Sequence, residues 1–149
     1  SDILVREGHC VVASDKGLFC RPENSQEIQL GDAPVRQLAL SPEGLVVAAT
    51  AAGLVREENG SLVPFEVKDT LGRTWATHDV RGVAYDPQGR LWVATLAGVA
   101  CLNGAEWSFY TGAEGLPYND FTAVAASGNG EVWFATHIGA VRFDGENWS

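Results

Sequence analysis

No stretch of the sequence is apolar over anything near the ~20 residues that span a bilayer. Basic residues are few: 10 Lys and Arg stand against 19 Asp and Glu, for a net charge of −9. The first absence removes a membrane-spanning helix from consideration. The second removes a general attraction to phosphate backbones or anionic lipid, so neither nucleic acid nor a membrane is an expected partner of this segment. There is no His-x-x-x-His or Cys-x-x-Cys spacing and no Gly-rich loop leading into a helix. The three histidines, His9, His78 and His137, are scattered, and the adjacent pair His78-Asp79 reads as a solvated loop pair rather than a catalytic one. No metal or cofactor is expected from these residues. Cysteines number three. Centring the first hairpin on Asp15-Lys16 places Cys20 opposite Val11 and leaves Cys10 on the other face, so buried free thiols are expected instead of a disulfide.

What the sequence has in excess is glycine, 17 residues of 149, spaced regularly. Nine residues separate Gly8 from Gly17, Gly44 from Gly53, Gly89 from Gly98 and Gly130 from Gly139, and the anchors advance by 36, 45 and 41 residues. That lies near the ~40–45 period of four-stranded propeller blades. Between the anchors the runs are short and β-branched, or alternate with period two. Arg81–Tyr110 shows one whole unit: an apolar run, a Pro-Gln-Gly turn, a Trp-containing run, a Thr-Leu-Ala-Gly turn, a third run, an Asn-Gly turn and an aromatic run. The predicted fold class is therefore all-β, a propeller of four-stranded antiparallel blades at approximately 1–33, 34–78, 79–120 and 121–149, the last incomplete. No helix longer than one or two turns is expected.

Spacing also aligns the copies internally. Trp92 and Trp133 are 41 residues apart, as are Trp107 and Trp148; Val11 and Val47 fill the first Trp position in the earlier copies. Leu4 aligns with Tyr85, which puts Ser1 where Gly82 lies. Expected core positions are Val12, Leu38, Ala48, Val83, Trp92, Ala94, Val124, Trp133 and Ala135. Both Trp92 and Trp133 read as wedges between blades, because they sit inside strands rather than at loop tips.

Two segments, PQGRLWVATLAGV at 87–99 and GNGEVWFATHIGAV at 128–141, are joined by EWSFYTGAEGLPYNDFTAV at 106–124. Together they resemble the two-component-regulator propeller repeat, with its Gly, Trp-containing strand, Thr-x-x-Gly turn and Gly-Leu-Pro segment. The first two copies keep the Gly frame but lack the Trp, and Ser14 replaces the Thr in the first. The resemblance implies a β-propeller of the kind often found in periplasmic sensor domains, commonly for glycans, and in other extracellular proteins. It carries no active site across, since the repeat residues are structural.

Function is then expected on the rim shared by the turns between second and third strands and the connectors between blades. The connectors Lys68–Asp79 and Thr111–Asp120 exceed hairpin length, and long loops are where contact residues concentrate. Arg73, Trp75, His78, Tyr118, Asn119, Asp120 and His137 are the candidate ligand-binding residues, offering rings, amides and carboxylates to a glycan, a peptide or a protein partner. Asn119 and Asp120 are also candidates for capping their own loop. The expected function is a non-catalytic, ligand-sensing or interaction module of an extracytoplasmic bacterial protein, periplasmic or extracellular. Alternatives are an accessory domain of a carbohydrate-active enzyme and a metal-dependent lyase. Virginiamycin-inactivating lyases are propellers with similar motifs, and for such chemistry His137 is the well-placed histidine, with no carboxylate partner evident from spacing. The clipped first strand and the abrupt end after Trp148 predict a fragment or half of a seven- or eight-bladed propeller, whose flanks are covered by another copy or by further blades.

Overall fold

Two hydroxyl and glycine devices, repeated from unit to unit, shape the chain. The first closes the turn between second and third strands. The Thr95 hydroxyl donates to the Gly98 carbonyl (3.2 Å) and accepts from the Ala97 amide (3.1 Å); Thr136 does the same with Gly139 and Ile138. Thr50 bonds Gly53 in both directions, and Ser14 stands in with Gly17 and Lys16. Glycine is required at the end of this turn: at Gly98 φ is +141°, and a Cβ there would lie 2.4 Å from the Tyr110 carbonyl oxygen of the outer strand. The second device closes the turn between first and second strands, where Gly44, Gly89 and Gly130 donate to the carbonyls of Ser41, Asp86 and Ser127.

The computed structural model describes residues 2–6, 9–22, 28–67 and 79–149. They form four antiparallel meanders in chain order. Blade one holds β1 (Asp2–Arg6), β2 (His9–Ser14), β3 (Gly17–Pro22) and β4 (Ile28–Gly31). Blade two holds β5 (Val35–Leu40), β6 (Val46–Thr50), β7 (Gly53–Glu58) and β8 (Ser61–Pro64). Blade three holds β9 (Val80–Tyr85), β10 (Leu91–Thr95), β11 (Gly98–Asn103) and β12 (Glu106–Tyr110). In blade four β13 (Phe121–Ala126), β14 (Val132–Thr136) and β15 (Gly139–Phe143) make a three-stranded sheet. A fourth strand begins: Trp148 bridges to Phe143, and Arg142 and Ser149 exchange amide–carbonyl bonds of 2.7 and 2.9 Å. The helical content of the described residues is one 3-10 turn at Gly112–Glu114. This is the all-β propeller that the glycine spacing predicts.

Three seams hold successive blades together. Val11, Ala13, Leu18 and Cys20 of blade one meet Val35, Leu38, Val46 and Ala48 of blade two. Ala39, Val47, Ala49 and Leu54 meet Val80, Val83, Leu91 and Val93 at the second seam. The third is aromatic. Trp92, fully buried, lies 5.9 Å from the Phe134 ring and 5.1 Å from that of Phe143 across the seam. Burial of such a ring contributes roughly 2–3 kcal/mol.

The innermost strands are tied by side chains at the axis. Gln37 of β5 accepts from the Val83 amide (3.3 Å) and the Val124 amide (3.1 Å) and donates to the Val124 carbonyl (2.7 Å), so one side chain reaches the inner strands of blades three and four. It passes the position of Gly82, where a Cβ would stand 2.7 Å from Gln37 Oε1 and 2.8 Å from the Val124 nitrogen. Asp2, at the corresponding place in blade one, accepts from the Leu38 amide at 2.9 Å.

Some positional expectations need correction. Val5, not Leu4, is the counterpart of Tyr85: Val5 faces Cys10 as Tyr85 faces Leu91, which places Asp2, not Ser1, in the Gly82 position. The loop between the paired residues Val5 and Cys10 is one residue shorter than its counterpart between Leu40 and Val46. Of the expected core, Leu38, Ala48, Val83, Trp92, Ala94 and Val124 are buried, but Trp133 is 43% exposed, Ala135 is exposed and Val12 is half-buried. Trp133 and Ala135 point to the side of blade four away from blade three, and Val12 to the side of blade one away from blade two. No described blade covers either side. Val11 does face Cys20, and all three cysteines are free thiols, with Cys20 and Cys101 buried and Cys10 half-buried. Burial pushes the Cys101 thiol up to about 12.

Candidate functional site

The β14–β15 turn and the connector entering β13 meet on one rim. His137 Nε2 lies 3.7 Å from Asp120 Oδ2, with both side chains more than half exposed. Tyr118 and Asn119 are exposed on the same connector. Spacing gave His137 no carboxylate partner; the fold supplies Asp120 from 17 residues upstream in sequence. The connector is capped by Thr111 and Glu114: Glu114 accepts from the Thr111 amide at 2.8 Å, and the Thr111 hydroxyl accepts from the Ala113 amide at 3.2 Å. Leu116 is buried beneath it in the third seam. The Gly-Leu-Pro segment is thus an anchor that holds Tyr118–Asp120 at the surface. Arg73, Trp75 and His78 lie outside the described residues.

Nearer the axis, the same rim carries a charge cluster that sequence reading did not single out. Asp79 pairs with Arg36 of β5 and with Arg81, whose Nη2 and Nε donate to Asp79 Oδ2 at 2.7 and 2.9 Å. The Asp79 amide donates to the Ala51 carbonyl in the rim turn of blade two. Burial works against ionisation of Asp79, but the two guanidiniums outweigh it and hold the carboxyl below the usual range. Asp79 takes a left-handed backbone, φ +62°, uncommon for a residue with a side chain. A two-arginine, one-carboxylate cluster presents net positive charge on a rim of an otherwise acidic protein. The nearest sequence signal was the Asp79-Val80-Arg81 run; Arg36 is 43 residues from Asp79, and only the fold brings it there.

Asp86 is a second residue that sequence reading passed over. Its side chain has no solvent exposure and accepts from Trp92 Nε1 (2.8 Å), Arg90 Nε (2.6 Å) and the Arg90 and Gln88 amides. It orients the seam tryptophan and lies on the opposite rim, away from His137. The Asp-Pro-x-Gly-x-x-Trp spacing was its signal. Beside it, Pro42, Glu43, Tyr85, Gly89, Leu91 and Leu102 line a groove between the turns of blades two and three.

Residues 74–97, which include this tryptophan strand and the Thr95 turn, match the family model described as the two component regulator propeller. Residues 74–97 are similar to a two-component regulator propeller repeat. Solved propellers share the architecture. The extracellular domain of BT4673 from B. thetaiotaomicron, described both as a one-component and as a hybrid two-component system, superposes with a TM-score of 0.76 at 16% identity, over 95% of this chain and 23% of that one. Virginiamycin B lyase from Staphylococcus aureus gives 0.71 at 13%, over 99% of this chain and 53% of the lyase. YCF48 bound to D1 peptide gives 0.63 at 19%, over 98% and 50%. At these identities the likeness concerns the fold, and the chain spans a quarter to a half of each of these structures. No curated protein matches the sequence. The match covers the Trp92 strand and the start of the Thr95 turn, and does not reach the Thr111–Asp120 connector. Among the described residues no helix is long and apolar enough to cross a membrane, and no three His, Cys, Asp or Glu side chains are grouped to hold a metal.

Proposed function

We propose that this propeller is a non-catalytic binding module of an extracytoplasmic bacterial protein, periplasmic or extracellular, taking a glycan or a peptide on the rim that carries Tyr118, Asp120 and His137. One observation carries the reading. Among the described residues the large apolar side chains left exposed are Ile3, Val5 and Trp133 on the end flanks, Leu96, Tyr118 and Ile138 on this rim, and Leu45 on the other. Away from the flanks, apolar exposure gathers on the rim that also holds the His137–Asp120 pair and the Arg36–Asp79–Arg81 cluster. Rings and aliphatic chains amid fixed polar groups are what a sugar or a short peptide needs. The extracellular domain of BT4673 and YCF48 bound to D1 peptide, both of like fold, support the compartment and a peptide as one ligand class.

Replacing Arg73, Trp75 and Tyr118 together with alanine should weaken binding on glycan and peptide arrays at least ~30-fold, as loss of aromatic and arginine anchors does, with Tm nearly unchanged. Binding retained in that variant would overturn the rim assignment and move the contact to the groove beside Tyr85 or to the outer edges. The His137–Asp120 pair favours one second reading, a lyase. That reading requires metal-dependent turnover that disappears in His137→Ala, and turnover unaffected by this change would eliminate it.

A further inference from the structure

At the rim end of the first strand, blades two, three and four share a β-bulge. Val35 pairs with Thr50 and Gln37 with Ala49; Val80 pairs with Thr95 and Gly82 with Ala94; Phe121 pairs with Thr136 and Ala123 with Ala135. Arg36, Arg81 and Thr122 are thus each an extra residue without a partner across the ladder. A bulge bends its strand and re-aims the side chain it carries. In blades two and three that side chain is an arginine, and Asp79, one residue before β9, pairs with both. Each of these blades has a described blade on either side, so the cluster is built wholly within the chain.

The pairing leaves donors over. Arg36 uses Nη1, on Asp79 and on the Val80 carbonyl (3.3 Å), and Arg81 uses Nε and Nη2. Nε and Nη2 of Arg36 and Nη1 of Arg81 make no hydrogen bond among the described residues. The two side chains are 33% and 27% exposed, so the pair is open to a ligand. Charge is left over as well. Two guanidiniums against one carboxylate make one positive charge in excess, in a chain whose net charge of −9 repels anions elsewhere.

We propose that Arg36 and Arg81 together bind the carboxylate of an acidic ligand, borne by a uronic-acid sugar or by the C-terminus of a peptide. A carboxylate matches the single excess charge and presents the planar pair of oxygens that a guanidinium fork takes in two parallel bonds. A phosphate monoester, carrying about −1.5 to −2, would leave net negative charge beside Asp79. Thr122, the bulge residue of the next blade, is exposed and adds a hydroxyl on the same rim. The assignment rests on the rim being the binding surface, as proposed above, and narrows its ligand to an acid.

Calorimetric titration tests it with two matched pairs of probes, trigalacturonate against its methyl ester and a tripeptide acid against its amide. In one pair the acid should bind at least ~10-fold more tightly than the neutral form, and which pair does so identifies the source of the carboxylate. Arg36→Gln and Arg81→Gln should each abolish that preference, with circular dichroism confirming that the strands are kept. Asp79→Asn should do the opposite and tighten acid binding several-fold, because it frees both arginines. Asn tolerates the left-handed backbone at this position, and a merely structural ion pair predicts no gain. Binding of neither acid, no preference for an acid, a preference that survives in both arginine variants, or no gain in Asp79→Asn would each overturn the proposal. Acid and neutral forms bound equally, and lost together in Tyr118→Ala, would sink the carboxylate site and leave the rim assignment standing. An acid preference that needs the arginines but not Tyr118 would keep the carboxylate site and remove Tyr118 from the contact.

Discussion

Trp92→Ala should lower the unfolding free energy by about 3–5 kcal/mol, the cost of emptying a buried aromatic site, whereas Trp133→Ala should cost ~1 kcal/mol or less. The two tryptophans hold the same repeat position. Trp92 has no exposure, stacks on Tyr110 at 6.0 Å, and meets Phe134, Phe143 and Trp148 within 6.4 Å. Trp133 lies over the Arg142 guanidinium, 6.0 Å away, on an open flank. Urea unfolding of both variants reads the difference directly. Equal losses would mean that the two flanks of blade four are covered alike, contrary to the order of blades described.

Asp86→Ala carries the second large effect, about 3 kcal/mol of destabilisation, because it leaves the buried Trp92 indole N–H without an acceptor and takes the carboxylate from the partly buried Arg90 guanidinium. Asp86→Asn keeps the shape and removes the charge, and it separates packing from electrostatics. Burial alone would raise the Asp86 pKa, but the Trp92 and Arg90 hydrogen bonds and the Arg90 charge outweigh it, and the carboxyl sits below its ordinary value. The folded protein thus binds this proton more weakly than the unfolded chain does. Its contribution is complete above about pH 4, the unperturbed carboxylate value, and is lost as pH falls through the lower folded value. Asp79 and Asp144 are depressed as well, so acid sensitivity should be reduced in Asp86→Asn but not abolished. Unfolding curves between pH 7 and pH 2.5 measure it; an unchanged pH dependence would show that the Asp86 carboxylate is not held as described.

Much of the fold was legible because glycine and hydroxyl positions encode turns locally. The nine-residue interval marks a hairpin whose two ends need particular backbone geometry, and no distant residue alters that need. The same locality put Cys20 opposite Val11. Trp133 was misread because burial belongs to a pair of blades and not to a residue: the repeat specifies an apolar position, and the next blade decides whether it is covered. The one-residue offset at Leu4 and Val5 came from a shorter turn, which a fixed alignment to Tyr85 cannot register. On the rim, spacing placed His137 and the Tyr118–Asp120 connector on one surface; Asp120 and His137 lie just beyond the paired residues Phe121 and Thr136, so the β13–β14 register brings them together, whereas the Arg36–Asp79 pair joins blades two and three and nothing local encodes it. Gln37 is the extreme case. Its partner Val124 is 87 residues away, and the only sequence trace is a glycine, Gly82, at the matching position of the blade between them.

That side chain offers the most direct test of the blade order. In a proton Overhauser spectrum, the Gln37 side-chain amide should show cross-peaks to protons of Val124, and it should exchange slowly with water, since it donates to the Val124 carbonyl at 2.7 Å. These signals bring the inner strands of blades two and four together at one axis. A Gln37 amide that exchanges freely and shows contacts only within its own blade would contradict the propeller described.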